Sequence, residues 1–238
     1  MLSREKILLA NLKEVQRSLE DACKRAGKDP QTVTLVAVTK YACDEDVLTL
    51  LKTGEITDVA ESRVQQALAR WKENPSFRGF ETVRKHFIGH LQKNKAAKAA
   101  QFFDFIDTLD DFETAQILNA HVPAGKTVKT LVQVKLTDKQ SQSGLPLEKA
   151  RQLVAQLKNA SFANLRVCGY MAIAPQTEPD RLRPLFRAVK KAFEEDFPAS
   201  QERWLSLGMS GDFTVAVEEG STLPRIGSRL FAKDLEEA

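Results

Sequence analysis

Eight short apolar runs of β character, spaced by longer helical patterns, constrain this chain more than any other feature. The runs cover residues 34–40, 57–61, 85–89, 103–109, 129–136, 165–173, 204–210 and 223–227. Helical patterns lie between them, among others at 44–52, 62–72, 147–158 and 181–195. Such alternation predicts parallel strands joined by helical crossovers. Eight units in 238 residues predict an α/β fold, a single (β/α)8 TIM-like barrel. An extra N-terminal helix is expected ahead of it, from Ser3 as N-cap to about Arg25. Its apolar stripe is Ile7, Leu8, Leu12, Val15, Leu19 and Ala22, and Gly27 and Pro30 end it. The alternative is a doubly wound open sheet, but no glycine-rich phosphate loop follows any strand.

Composition narrows the class. Hydrophobic residues make up 42% and charged residues 28%, enough for a large core. Residues 1–238 therefore read as one domain, with no length left for a second. A formal charge of +3 does not argue for nucleic acid. No run suits a membrane helix, and the start lacks a signal-peptide pattern. Cys23, Cys43 and Cys168 are odd in number and form no CxxC, so a reduced, cytoplasmic setting without a metal site is expected.

In a βα barrel the chemistry gathers at the carboxyl ends of the strands. Lys40 ends the first run. A shielded lysine there can act as an amine nucleophile on a carbonyl, or it can simply snorkel to solvent. Runs seven and eight end in Gly208-Met209-Ser210-Gly211-Asp212 and Gly227-Ser228. Adjacent Gly/Ser turns can cradle a phosphate with backbone N–H groups, or they are ordinary strand-to-helix turns. Arg225, in phase with Gly227, needs a partner inside an apolar run. A ring nitrogen or a barrel carboxylate would serve. Amine, cradle and arginine together suit pyridoxal 5′-phosphate (PLP).

His86 and His90 are four apart on a strand pattern, so His86 reads as a satisfied core histidine and His90 as a loop residue. Lys93, Lys95 and Lys98 read as a solvated helix face, or as an attraction for an anion.

The ordered motifs LVAVTK (35–40), HFIGHLQKNK (86–95), SQSGL (141–145), GYMAI (169–173), LSLGMSGDF (205–213) and GSTLPRIGSRLF (220–231) carry a resemblance. Over nearly its whole length the chain resembles the pyridoxal phosphate homeostasis proteins, relatives of the alanine racemase N-terminal barrel. The resemblance implies that Lys40 holds PLP as a Schiff base. It further implies that Ser210, Gly227 and Ser228 hold the phosphate, Arg225 faces the pyridine nitrogen, and Met171 lines the pocket. Ser62, where the family usually has asparagine, completes the implied set. The implied role is cytoplasmic: binding and buffering PLP and passing it to PLP-dependent apo-enzymes; a monomer is expected.

A weak single-domain amino-acid racemase is the alternative. Racemisation needs a second acid/base group opposite Lys40. On strand alternation Tyr41 points away from Lys40 and Tyr170 away from Met171. An arginine at the ring nitrogen stays protonated and weakens the electron sink. Both points favour holding the cofactor over turnover.

Overall fold

The computed structural model describes residues 3–137 and 142–233. Ser141, which opens one of the motifs above, lies outside them. The chain enters through α1 (Arg4–Arg25) and then alternates. Its first half runs β1 (Val36–Val38), α2 (Asp44–Leu51), β2 (Asp58–Glu61), α3 (Val64–Leu68), β3 (Arg84–Phe87), α4 (Lys93–Phe102), β4 (Phe105–Leu109) and α5 (Phe112–His121). The second half runs β5 (Val128–Lys135), α6 (Leu147–Asn159), β6 (Leu165–Ile173), α7 (Pro179–Asp196), β7 (Trp204–Ser206), α8 (Phe213–Glu218) and β8 (Arg225–Ile226). A π-helical turn, Ala69–Glu73, extends α3.

The strands are parallel, in the order β7-β6-β5-β4-β3-β2-β1-β8. The seam between β7 and β8 is drawn together by single bonds. Thr222 and Leu223 donate their N–H groups to the Leu205 carbonyl (2.9 and 3.1 Å), and Arg225 donates its own to the Gly208 carbonyl (3.0 Å). The result is the nearly closed TIM-like barrel that the alternation predicts.

The ring of eight helices is made up of α1 and the seven crossover helices, and among the described residues no helix follows β8. Instead α1 packs beside α8 and α2. Its stripe of Leu8, Leu12, Val15 and Leu19 joins Val47, Leu50, Phe213, Val217, Ile226 and Leu230 in one buried cluster. Polar bonds pin the segment after β8 to the same helix. Arg4 donates to the Ala232 and Phe231 carbonyls (2.5 and 2.9 Å) and pairs with Asp46, and the buried Asn11 donates to the Leu230 carbonyl (3.2 Å). The N-terminal helix thus fills the gap left in the outer ring.

Strand alternation sorts side chains between barrel interior and helical layer. Ala37, Val59 and Ile226 pack with α1, and Phe87, Ile106 and Leu205 pack under the other helices. Their neighbours Val36, Asp58, His86, Asp107, Ser206 and Arg225 are buried on the opposite side. Between β5 and β6 the register slips from Thr130↔Val167 to Leu131↔Gly169, leaving Cys168 as an inserted residue. The bulge lets both Cys168 and Met171 join Val36, Ala60, Leu131 and Leu223 in an interior apolar cluster.

His86 is the satisfied core histidine that its strand position predicts. Its Nε2 meets Asp58 Oδ1 at 2.9 Å, its Nδ1 meets Asp107 Oδ2 at 3.1 Å, and the ring stacks on Phe105 at 4.1 Å. Burial opposes its charge, but the two aspartates outweigh burial and raise it from 6.5 to about 9. A group raised in the folded state adds stability that is complete below its unfolded value and is lost as pH climbs through the folded one. Unfolding free energy from denaturant titration is therefore expected to fall between pH 6.5 and 9, by roughly 3 kcal/mol from this group. A flat or rising profile over that window would contradict the charged triad.

Candidate functional site

The carboxyl end of β1 runs directly into a tight turn. The Ala42 N–H donates to the Thr39 carbonyl at 3.0 Å, so Lys40 and Tyr41 occupy the two central positions. Lys40 is half-buried and makes no hydrogen bond or ion pair among the described residues. Its Nζ lies 5.0 Å from the centroid of the Tyr41 ring. An amine at a strand end with no hydrogen-bond or ion-pair partner among the described residues is available to a ligand.

Across the barrel mouth, the loop after β7 needs glycine at its first position. Gly208 has φ +89°, and a Cβ there would lie 2.6 Å from Ala216 Cβ and 2.7 Å from Phe213 Cα. The loop then folds on itself, with the Met209 N–H donating to Asp212 Oδ1 at 2.6 Å. This presents Ser210 to the segment after β8, where its Oγ accepts long bonds from the N–H groups of Gly227 (3.3 Å) and Arg229 (3.4 Å). Two backbone donors and a hydroxyl thus converge on one spot, the requirement for an anion cradle.

Arg225 underlies that spot, fully enclosed. Nη1 donates to the Ser206 carbonyl (2.9 Å) and Oγ (2.6 Å), and Nη2 donates to the Ala172 carbonyl (3.0 Å). These bonds go to neutral oxygens, and among the described residues no carboxylate forms an ion pair with it. Burial pulls its proton affinity down, and the charges of Asp107 and Asp212 pull it back up. Among the described residues, three of the guanidinium's five N–H donors are used.

Lys40, Ser210, Arg225, Gly227 and Ser228 line one cavity of about 590 Å³ at the carboxyl ends of the strands. That volume suits a small cofactor. Two of the expected residues are elsewhere. Ser62 lines a separate hollow of about 220 Å³ with Arg63, His90 and Lys95. Met171 is enclosed in the interior apolar cluster and does not line the cavity. The Ser62 carbonyl faces Gly89, where a Cβ would lie 2.2 Å from it, which explains that glycine. A larger hollow of about 660 Å³, lined by Thr127, Leu165 and Val167, lies at the amino ends of β5 and β6, away from the end where barrels do chemistry.

The cavity also takes in residues that strand phase did not point to: Tyr41, Gln176, Phe231 and Lys233. Tyr41 corrects the alternation argument. β1 ends at Val38, so Lys40 and Tyr41 sit on a turn and share the cavity, with Tyr41 89% exposed. Tyr170 is outward-facing as expected: its hydroxyl donates to Asp196 at 2.6 Å, and burial, then Asp196, pushes the phenol far up. Of the basic run, Lys93 pairs with Glu113, Lys98 is exposed, and Lys95 belongs to the Ser62 hollow.

The chain is thus a parallel βα barrel whose first strand leads to a lysine amine and whose last two strands are followed by converging Ser210 hydroxyl and backbone N–H groups. The comparisons give this class its family. The chain belongs to the alanine racemase N-terminal domain family, whose model matches residues 10–234. It is 34% identical over 226 residues to the pyridoxal phosphate homeostasis protein of Haemophilus influenzae, covering 93% of each chain. To the protein of that name from Escherichia coli K12 it is 33% identical, covering 93% of this chain and 94% of that one. Among solved structures it superposes on PipY of Synechococcus elongatus PCC7942 with PLP bound, with TM-score 0.75 and 29% identity, over 90% of this chain and all of that one. The alanine racemase of Clostridium difficile 630 shares the fold at TM-score 0.67 and 13% identity, over 94% of this chain and 56% of the racemase.

Replacing Arg225 by glutamine strands the Ser206 and Ala172 oxygens and leaves Asp107 and Asp212 less compensated. Chemical denaturation is expected to register a loss of about 3 kcal/mol. A loss under about 0.5 kcal/mol would show that the seam does not lean on this side chain.

Proposed function

We propose that the protein binds PLP in the 590 Å³ cavity, held as a Schiff base on Lys40, and serves the homeostasis of that cofactor. The observation that carries this reading is the Lys40 amine sharing one cavity with the Ser210–Gly227–Ser228 cradle and the Arg225 guanidinium. The donor set fits the group. The N–H groups of Gly227 and Arg229, with the Ser210 hydroxyl, suit a phosphate, and the spare Arg225 donors suit a ring nitrogen. PLP when bound supplies an aldehyde that condenses with an amine, releasing water. Lys40 supplies that amine, the cradle orients the phosphate, and the barrel interior below excludes water. Arg225 stays charged, which keeps a ring nitrogen unprotonated and favours holding over turnover. The relatives' shared name supports the same role. In this reading the protein acts in the cytoplasm as a monomer that buffers PLP and passes it to apo-enzymes.

Titration of the purified protein with PLP is expected to give a yellow species with one equivalent bound, and Lys40→Ala is expected to remain colourless. A wild-type protein that takes up no PLP would overturn the proposal.

The position of Tyr41 favours a second reading, weak amino-acid racemisation, because it puts a phenol in the cavity beside Lys40. Incubation of the loaded protein with L-amino acids in D₂O separates the two. The carrier reading expects no sustained deuterium entry at Cα. Steady entry with D-isomer formation, lost in Tyr41→Phe, would establish the racemase.

A further inference from the structure

The turn that carries Lys40 is gripped from outside the cofactor cavity by a single side chain. Arg70, in the π-helical turn after α3, donates Nη1–H to the Thr39 carbonyl at 2.9 Å and Nη2–H to the Ala42 carbonyl at 2.6 Å. These are the first and last residues of the turn, so one guanidinium bridges both of its ends. The same group donates Nη1–H to Glu61 Oε1 (2.8 Å) and Nε–H to Asp44 Oδ1 (2.7 Å). Its side chain is only 14% exposed. Glu61 in turn accepts from Thr39 Oγ1 at 2.7 Å, and Asp44 accepts from Asn74 Nδ2 at 2.8 Å. The widened turn is real in the backbone: the Asn74 N–H reaches back five residues to the Ala69 carbonyl at 3.0 Å. Such turns are rare and concentrate at functional sites.

A second observation says what this grip prevents. Lys40 lines two cavities, the 590 Å³ one described above and a hollow of about 310 Å³ that it shares with Asp44, Glu61, Gln66, Ala69 and Arg70. Among the described residues, the charged and titratable groups lining these two cavities with Lys40 are Asp44 from α2, Glu61 from β2, Arg70 from the π turn, Arg225 from β8, and Tyr41 and Lys233. Two carboxylates on the far side would attract a lysine ammonium. Arg70 occupies both of them and fixes the turn at the same time.

We propose that Arg70 is the positioning residue for Lys40. It clamps the Thr39–Ala42 turn and neutralises Asp44 and Glu61, so that the amine is directed to the cofactor cavity and is not captured in the hollow behind it. The consequence for PLP rests on the function proposed above; the consequence for the amine itself does not. Releasing the clamp lets Lys40 spend part of its time paired with Asp44 or Glu61. Apparent affinity then falls by the fraction of molecules that remain competent.

The test uses the full chain and two readouts. The first is the rate at which a small amine-directed reagent labels Lys40 in protein without PLP, followed by peptide mass spectrometry across pH. In Arg70→Gln, labelling of Lys40 at neutral pH is expected to drop about tenfold, with the gap closing at high pH. Arg70→Lys is expected to fall between the two, because a lysine cannot bridge both carbonyls. Adding Glu61→Gln to Arg70→Gln is expected to restore much of the labelling. The second readout is PLP affinity, expected to weaken about tenfold in Arg70→Gln. Thermal unfolding accompanies both, and Arg70→Lys carries the test if Arg70→Gln does not fold. Unchanged labelling in a folded variant would overturn the proposal. So would a labelling loss that is equal at all pH values and not relieved by Glu61→Gln. A wild-type protein that shows the labelling pattern but takes up no PLP would retain the clamp and sink the cofactor reading.

Discussion

The enclosed guanidinium of Arg225 is the interaction on which this architecture depends. A barrel of eight parallel strands closes only if the last strand is held to both neighbours, and β8 is two residues long. Its backbone pairs with β1, while the Arg225 side chain reaches across β7 to Ser206 and on to the Ala172 carbonyl of β6. One side chain thus spans three strands. Short strands suffice there because charge-assisted bonds replace a longer ladder. The loops that follow β7 and β8 inherit their proximity from this seam, and with it the convergence of Ser210 on the N–H groups of Gly227 and Arg229.

A buried cation would be costly alone, and the barrel interior is arranged around that cost. Asp107 meets His86 Nδ1 at 3.1 Å and helps hold it charged, while its charge also offsets part of the burial that lowers Arg225. Asp58 balances His86 from the other side and is itself held below the usual carboxylate range. Burial opposes that shift, and bonds from His86, Arg84 and Thr57 overcome it. The interior is therefore layered, with a polar set of Asp58, His86, Asp107 and Arg225 beside an apolar set of Val36, Ala60, Leu131 and Met171. The arrangement is a packed core, not a channel, and the space for a ligand lies above it.

Much of this was legible in the sequence because parallel strands covered on both faces read as nearly continuous apolar runs. All eight runs became strands, and the positions at their carboxyl ends carried Lys40, Ser210, Arg225, Gly227 and Ser228 to one cavity. What was missed has local causes. Met171, placed in the pocket by the resemblance, lies in the interior apolar cluster beside the bulge at Cys168. Ser62 follows Glu61, whose side chain turns outward to Arg70, and the chain then enters α3 over a different hollow. Tyr41 was assigned to a strand that ends three residues earlier. Arg70 carried no signal at all, because its role depends on a π turn, and nothing in the run Val64-Gln65-Gln66-Ala67-Leu68 marks where an α-helix will widen. Bulges, turns and widened helices are set by tertiary contacts, and the period of a sequence does not report them.

The proposed function puts the cofactor on one particular amine, just after β1. Borohydride reduction of the protein mixed with PLP, followed by peptide mass spectrometry, tests it directly. The reduced cofactor mass is expected on the peptide containing Lys40. Mass on another lysine instead, such as Lys233 of the same cavity, or no adduct at all, would contradict it.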